Sequence, residues 1–184
     1  MRRQLVFVQG GGAGAHDTDA PLAGSLETAL GDRFVLHYPR MPSEANPQMA
    51  VWARHIAAAC APVRAPLILV GHSLGGACLL RALAEARIEV EVSGLYLLAA
   101  PARDGADWDF EDLALPGDLA RRLVAIRRVA LYQCRDDEIV PFAHLALHAK
   151  QLPRAVVRAR AHGGHQFGED LRFLARDILR DDTG

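Results

Sequence analysis

Apolar residues fall along this chain in two alternating rhythms. Compact apolar runs of strand length lie at 5–8, 34–37, 67–70, 94–99, 129–133 and 155–158. Between them, apolar positions recur every three or four residues, the spacing of one helix face. Asp19-Ala20-Pro21 predicts a helix start, Leu22, Leu26 and Leu30 its buried face, and Gly31 its end. Asn46-Pro47 reads as a cap followed by proline at the first helical position, ahead of Trp52, Ile56 and Ala59. Further helices are predicted over 74–86, after Asp118 (carrying Leu119, Leu123 and Ile126), over 141–151, and around Leu171, Leu174, Ala175 and Ile178. The sixth strand is the most polar, which suits a sheet edge.

Strand–helix alternation of this kind predicts an α/β fold, a mainly parallel sheet between two helical layers. At 184 residues the chain is expected to form one domain, residues 1–184. In such sheets the reactive loops lie beyond the carboxyl ends of the strands. The longest irregular stretch, 101–117, contains Trp108 and Phe110, and a loop that long in a compact domain is more often functional than idle.

The loop after the third strand carries the sharpest chemical signal. Gly71-His72-Ser73-Leu74-Gly75-Gly76 fits Gly-x-Ser-x-Gly, the turn that mounts a nucleophilic serine between a strand and a helix. A serine hydroxyl needs a base to take its proton, and a carboxylate to hold that base in the right tautomer. Asp136, Asp137 and Glu138 follow the fifth strand, and Asp137, in the turn before Pro141, is the favoured acid. After the sixth strand, Gly163-Gly164-His165-Gln166-Phe167 offers His165 as the base, with His162 as its rival. The transition state of acyl transfer also needs two donors for an oxyanion. One is expected from the backbone N–H of Leu74. The second is expected from the glycine-rich loop after the first strand, at Gly11, with Gly12 next.

That loop, Gly10-Gly11-Gly12-Ala13-Gly14-Ala15, also fits a loose dinucleotide fingerprint. Two carboxylates at Asp17 and Asp19 would then face a pyrophosphate, and the second strand ends at His37-Tyr38-Pro39 with no acid for a ribose. A dinucleotide is therefore not expected, and without Gly-Lys-Ser/Thr neither is a P-loop. His144 and His148, four apart on a helix, have zinc-compatible spacing but no third ligand, and are read as a solvent face. From these residues neither a metal site nor a nucleotide cofactor is expected.

Together the Gly-rich loop at 9–14, the serine turn at 71–76, Asp137-x-x-Val140-Pro141 and Gly163-Gly164-His165-Gln166-Phe167 resemble the α/β-hydrolase superfamily over nearly the whole chain. The resemblance implies a Ser-His-Asp mechanism without metal or organic cofactor: Ser73 as nucleophile, His165 as base and then acid, Asp137 orienting it, Gly11 and Leu74 forming the oxyanion hole. It implies strand order 2-1-3-4-5-6, numbered as in this chain. Two antiparallel strands that often precede the Gly-rich strand are missing, no cap domain fits between strands four and five, and Gln9-Gly10 replaces the usual His-Gly. The chain is thus similar to small lidless bacterial serine hydrolases and carboxylesterases. His72, Tyr38, Met41 and Trp108 (or Phe110) are expected to line the substrate pocket, with Arg40 at the surface.

Composition adds limits. Hydrophobic residues make up 51 %, charged residues 23 %, and the formal charge is −1, so neither nucleic acid nor a membrane surface is an expected partner. Lys150 is the only lysine beside scattered arginines, a codon-usage signature. Cys60, Cys78 and Cys134 lie in apolar stretches and read as buried free thiols. The apolar run after Met1-Arg2-Arg3 is too short for a signal-peptide core, so a cytoplasmic location is expected. The expected activity is hydrolysis of a small ester or thioester through an acyl-enzyme. The alternatives are acyl transfer by the same triad and a hydrolase-like binding protein without turnover.

Overall fold

The structure, a computed structural model, describes residues 2–104, 107 and 111–182. Six strands form one sheet: β1 (Arg3–Val8), β2 (Phe34–His37), β3 (Leu67–His72), β4 (Val92–Leu98), β5 (Arg128–Cys134) and β6 (Val156–Arg160). Their order is β2-β1-β3-β4-β5-β6 and every pairing is parallel. The helices are α1 (Ala15–Leu30), α2 (Met49–Cys60), α3 (Leu74–Ala84), α4 (Leu119–Arg122), α5 (Ala143–Gln151) and α6 (Arg172–Asp182).

Period-two alternation makes the three layers. Along β1, Leu5 and Phe7 face α1 and α6, whereas Val6 and Val8 face α2 and α3. Along β3, Ile68 and Val70 take the first side, Leu67 and Leu69 the second. These residues are at most 3 % exposed, and full burial of each such side chain is worth about 1.5–3 kcal/mol. Both faces of the central strands are therefore apolar, as covered parallel sheets require. The β4–β5 connection holds, among the described residues, a 3-10 turn at Glu111–Leu113 and the one-turn α4, with no separate cap.

Three local expectations are corrected. First, α1 opens at Ala15 behind Gly14, not at Asp19–Pro21, and Pro21 lies inside it. Proline costs the helix one N–H donor, but Leu22, Ala23, Leu26 and Leu30 still bury one continuous face, and tertiary packing outweighs the lost bond. Second, α2 begins at Met49, two residues after Pro47. Third, His144 and His148 are not on a solvent face: they are 1 % and 3 % exposed. His144 Nδ1 accepts the Ala102 N–H (3.1 Å), and His148 Nε2 donates toward the carbonyls of Ala100 and Pro101 (both 3.2 Å). The pair ties the backbone after β4 to α5. The three cysteines are buried and unpaired, as expected.

His148 is neutral in this setting. Burial, opposed by its two carbonyl bonds, pushes its pKa down to about 4. Because the unfolded imidazole titrates near 6.5, its contribution is complete above that value and is lost as pH falls from about 6.5 to about 4. Urea unfolding across this range is expected to show a loss of about 2–3 kcal/mol in the wild type. In His148→Gln the slope over the same range should be distinctly shallower.

Candidate active site

Parallel pairing brings the carboxyl ends of β1, β3, β5 and β6 to one edge of the sheet. Ser73 follows β3 directly, with φ +51° and ψ −128°, a conformation that side-chain-bearing residues rarely adopt. Its N–H donates to the Leu98 carbonyl of β4 (2.8 Å). The flanking glycines are explained by contact. A Cβ at Gly71 would stand 2.6 Å from Gly76 Cα, and one at Gly75 would overlap the Gln9 carbonyl oxygen of the neighbouring loop. Any larger residue there would push α3 away from β1 and β3.

The loop after β5 arranges three consecutive carboxylates, each with different work. Asp136 accepts the N–H groups of Gly163 (3.2 Å) and Gly164 (2.9 Å). Glu138 accepts the N–H of His165 (3.1 Å). Asp137, its side chain fully buried, receives Nδ1 of His165 at 3.0 and 3.1 Å on its two oxygens. It is also held by the N–H groups of Ile139 and Val140 (both 2.9 Å) and by Gln133 Nε2 (2.7 Å). Burial alone would raise the Asp137 pKa; the donors from His165, Val140 and Ile139 outweigh it and hold the carboxyl below its ordinary value. An ionised Asp137 fixes the proton of His165 on Nδ1 and leaves Nε2 as an acceptor. His162 stands out in solvent, 90 % exposed and 3.5 Å from Asp136, so His165 and not His162 meets Asp137.

Ser73 and His165 line one cleft of about 230 Å³, together with residues 10–13, Ala15, Thr18, Asp19, His72, Ile139 and Gln166. The two side chains are not hydrogen-bonded to each other here; such bonds commonly tighten only with substrate in place. Of the glycine-loop amides, Gly10 donates to Asp19 Oδ2 (2.8 Å) and Gly12 to the Glu44 carbonyl (2.7 Å). Gly11 N–H meets no acceptor among the described residues, and Leu74 N–H opens α3 beside it. Gln9 is fully buried and ties Met41 N–H and Glu44 to the end of β1.

The expected pocket residues fare differently. His72 lines the cleft. Met41 is 2 % exposed and packs in the core on the α2–α3 face, not on the cleft. Tyr38 stacks on His16 (centroids 4.2 Å apart) and donates its hydroxyl proton to the His16 carbonyl (2.6 Å), also outside the cleft. Trp108 and Phe110 lie outside the described residues. Arg40 pairs with Asp17 (2.6 Å) and Glu44 (3.2 Å) at the surface. No group of three or more metal-ligating side chains occurs among the described residues.

Sequence reasoning missed Asp19, which was read as a helix opener. It is 1 % exposed and accepts from Gly10, His72 and Gln166. The signal was present, since Asp19 lies three residues before Leu22 and seven before Leu26, on the buried stripe itself.

The sheet order, the serine turn and the facing acid–histidine pair define an α/β-hydrolase fold without a cap. A family model described as serine hydrolase matches residues 27–170, well over half the chain. The chain belongs to the serine hydrolase family. It is 27 % identical over 143 residues to the Bacillus subtilis (strain 168) hydrolase YdeN, covering 77 % of this chain and 74 % of that protein. The crystal structure of the B. subtilis ydeN gene product superimposes with a TM-score of 0.81 at 21 % identity, covering 99 % and 100 % of the two chains. A structure from the metagenome-derived lipolytic enzymes LipS and LipT gives 0.74 at 17 % identity, covering 100 % and 95 %.

The depressed pKa of Asp137 fixes a sign. Its stabilising contribution is present above the unfolded value of about 4 and is lost as pH falls below it. Asp137→Asn is therefore expected to lower stability at neutral pH by about 1–3 kcal/mol. Calorimetric melting between neutral pH and the acid limb should show a smaller acid-induced drop for this variant than for wild type.

Proposed function

We propose that the chain is a serine hydrolase of the carboxylesterase or thioesterase type, with Ser73 as nucleophile and the Asp137–His165 pair as its base. The observation that carries this reading is the bond from His165 Nδ1 to both oxygens of a buried Asp137, in a cleft shared with Ser73. Ser73 Oγ attacks the carbonyl carbon while its proton passes to Nε2 of His165. The oxyanion sits against the N–H groups of Leu74 and Gly11, where the amino end of α3 adds a favourable dipole. Collapse breaks the bond to the alkoxide or thiolate, which takes the proton from His165. Water then enters, His165 removes its proton, and the acyl group leaves as the acid while Ser73 regains its hydrogen.

The cleft of about 230 Å³ is smaller than the roughly 300–1,000 Å³ usual for drug-sized ligands, which favours short acyl groups. Among the described residues, no helix is long and apolar enough to cross a membrane. A small-molecule substrate and a cytoplasmic location complete the proposal, the latter in keeping with three buried free thiols.

A fluorophosphonate probe should label Ser73, and Ser73→Ala should abolish labelling. Against p-nitrophenyl esters graded by acyl length, wild type should favour the shortest. His165→Ala should lower kcat by about a thousandfold or more, and His162→Ala should stay near wild type. Well-folded wild-type protein that takes no probe and cleaves no ester would refute the proposal.

A further inference from the structure

The histidine loop has far to travel. It leaves β6, yet the serine sits on β3, and β5 and β4 lie between them. The three carboxylates after β5 guide the near end of the loop. Its far end docks on a second buried acid–imidazole pair that the hydrolytic mechanism does not use.

That pair is Asp19 and His72. Asp19 Oδ2 lies 2.7 Å from His72 Nδ1 and also accepts the Gly10 N–H (2.8 Å); Oδ1 accepts Gln166 Nε2 (3.1 Å). His72 Nε2 lies 3.0 Å from the backbone carbonyl oxygen of His165. Both side chains are 1–2 % exposed. One carboxylate thus joins the oxyanion loop at Gly10, the residue before Ser73, and the residue after His165.

Hydrogen-bond chemistry sets the direction of the contact with His165. A carbonyl oxygen can only accept, so His72 Nε2 donates to it. Asp19 receives donors on both oxygens. Burial pushes its pKa up, but His72, Gly10 and Gln166 outweigh that and bring it below the ordinary value. The His165 ring lies beside the imidazole at a centroid distance of 4.7 Å, and the Phe167 ring at 6.4 Å.

We propose that Asp19 and His72 form a buried carboxyl–imidazole pair that positions the catalytic histidine and the oxyanion loop relative to Ser73. This inference rests on the hydrolase reading. Both are positioning residues, acting through the backbone of His165 and Gly10.

Nitrogen-15 correlation spectra of labelled protein should show the low-field Nδ1–H resonance of His165 shifted or broadened in Asp19→Asn relative to wild type. The saturating rate of fluorophosphonate labelling should fall about tenfold or more in that variant, with the half-saturating concentration moving less than about threefold, because orientation and not binding is lost. A wild-type labelling rate with an unchanged His165 resonance in Asp19→Asn overturns the positioning role. If Asp19→Asn does not fold, Gln166→Leu, which removes one donor to Asp19, supplies the kinetic arm: a lowered saturating rate is expected, an unchanged one overturns positioning. Wild type that takes no label refutes the hydrolase reading instead, and the His165 resonance still tests whether the pair positions the histidine loop.

Discussion

At Ser73 the chain leaves β3, reverses at φ +51°, and enters α3 in van der Waals contact with the backbone of β1. A non-glycine residue in such a conformation costs about 1–3 kcal/mol and persists only where its surroundings over-determine it. Here the surroundings are backbone. Gly71 lies against Gly76, Gly75 lies against the carbonyls of Val8 and Gln9, and the Ser73 amide is taken by Leu98. The same closeness that strains the serine brings the Gly10–Gly12 loop to its side. The turn therefore sets both the exposure of Ser73 and, in the proposed mechanism, the place where an oxyanion would meet Gly11 and Leu74.

The remaining groups must reach that fixed point from distant strands, and they do so by satisfying buried polar atoms. Leaving a buried acceptor or donor unpaired costs about 1–3 kcal/mol, so a buried carboxylate dictates where the donors around it go. The buried Asp137 gathers His165, Ile139, Val140 and Gln133, while at the surface Asp136 and Glu138 take the amides that precede and include His165. On the other side of the cleft Glu44 joins Gln9, His16 and Gly12. The acidic turn is thus a template for the histidine loop. Its three carboxylates are not interchangeable, because each faces a different donor.

What was legible in the sequence follows from this division. Periodicity reports which face of an element is apolar, and it identified all six strands, their layers, and the Leu22–Leu26–Leu30 and Leu171–Ile178 faces. The serine turn and the meeting of Asp137 with His165 could be anticipated because the expected chemistry needs particular residue types just past strand ends. Long-range polar partnership has no such local signature. His144 and His148 read as solvent-facing by spacing, yet their rings cap backbone that arrives from β4. Met41 looked like pocket because it follows a strand end, but Gln9 draws its amide inward and the side chain into the core. Pro21 masked the true start of α1, since propensity argues against it and only tertiary burial argues for it.

The walls of the cleft carry one more consequence. Much of its lining is backbone or methyl: Gly10, Gly11, Gly12, Ala13 and Ala15. Asp19, His72 and His165 in the same lining are fixed by hydrogen bonds, so for the proposed acyl substrate the size of the space depends largely on where the loops run. Those loops are held by Glu44 and Asp19 on one side and by Asp136, Asp137 and Glu138 on the other. In the proposed reaction, selection by size and alignment for chemistry would therefore share one set of hydrogen bonds. A change that loosens a buried carboxylate shifts the aim of His165 and the shape of the space in front of Ser73 together, whereas a change to a surface charge such as Arg40, exposed and paired with Asp17 and Glu44, acts on the site only through Glu44.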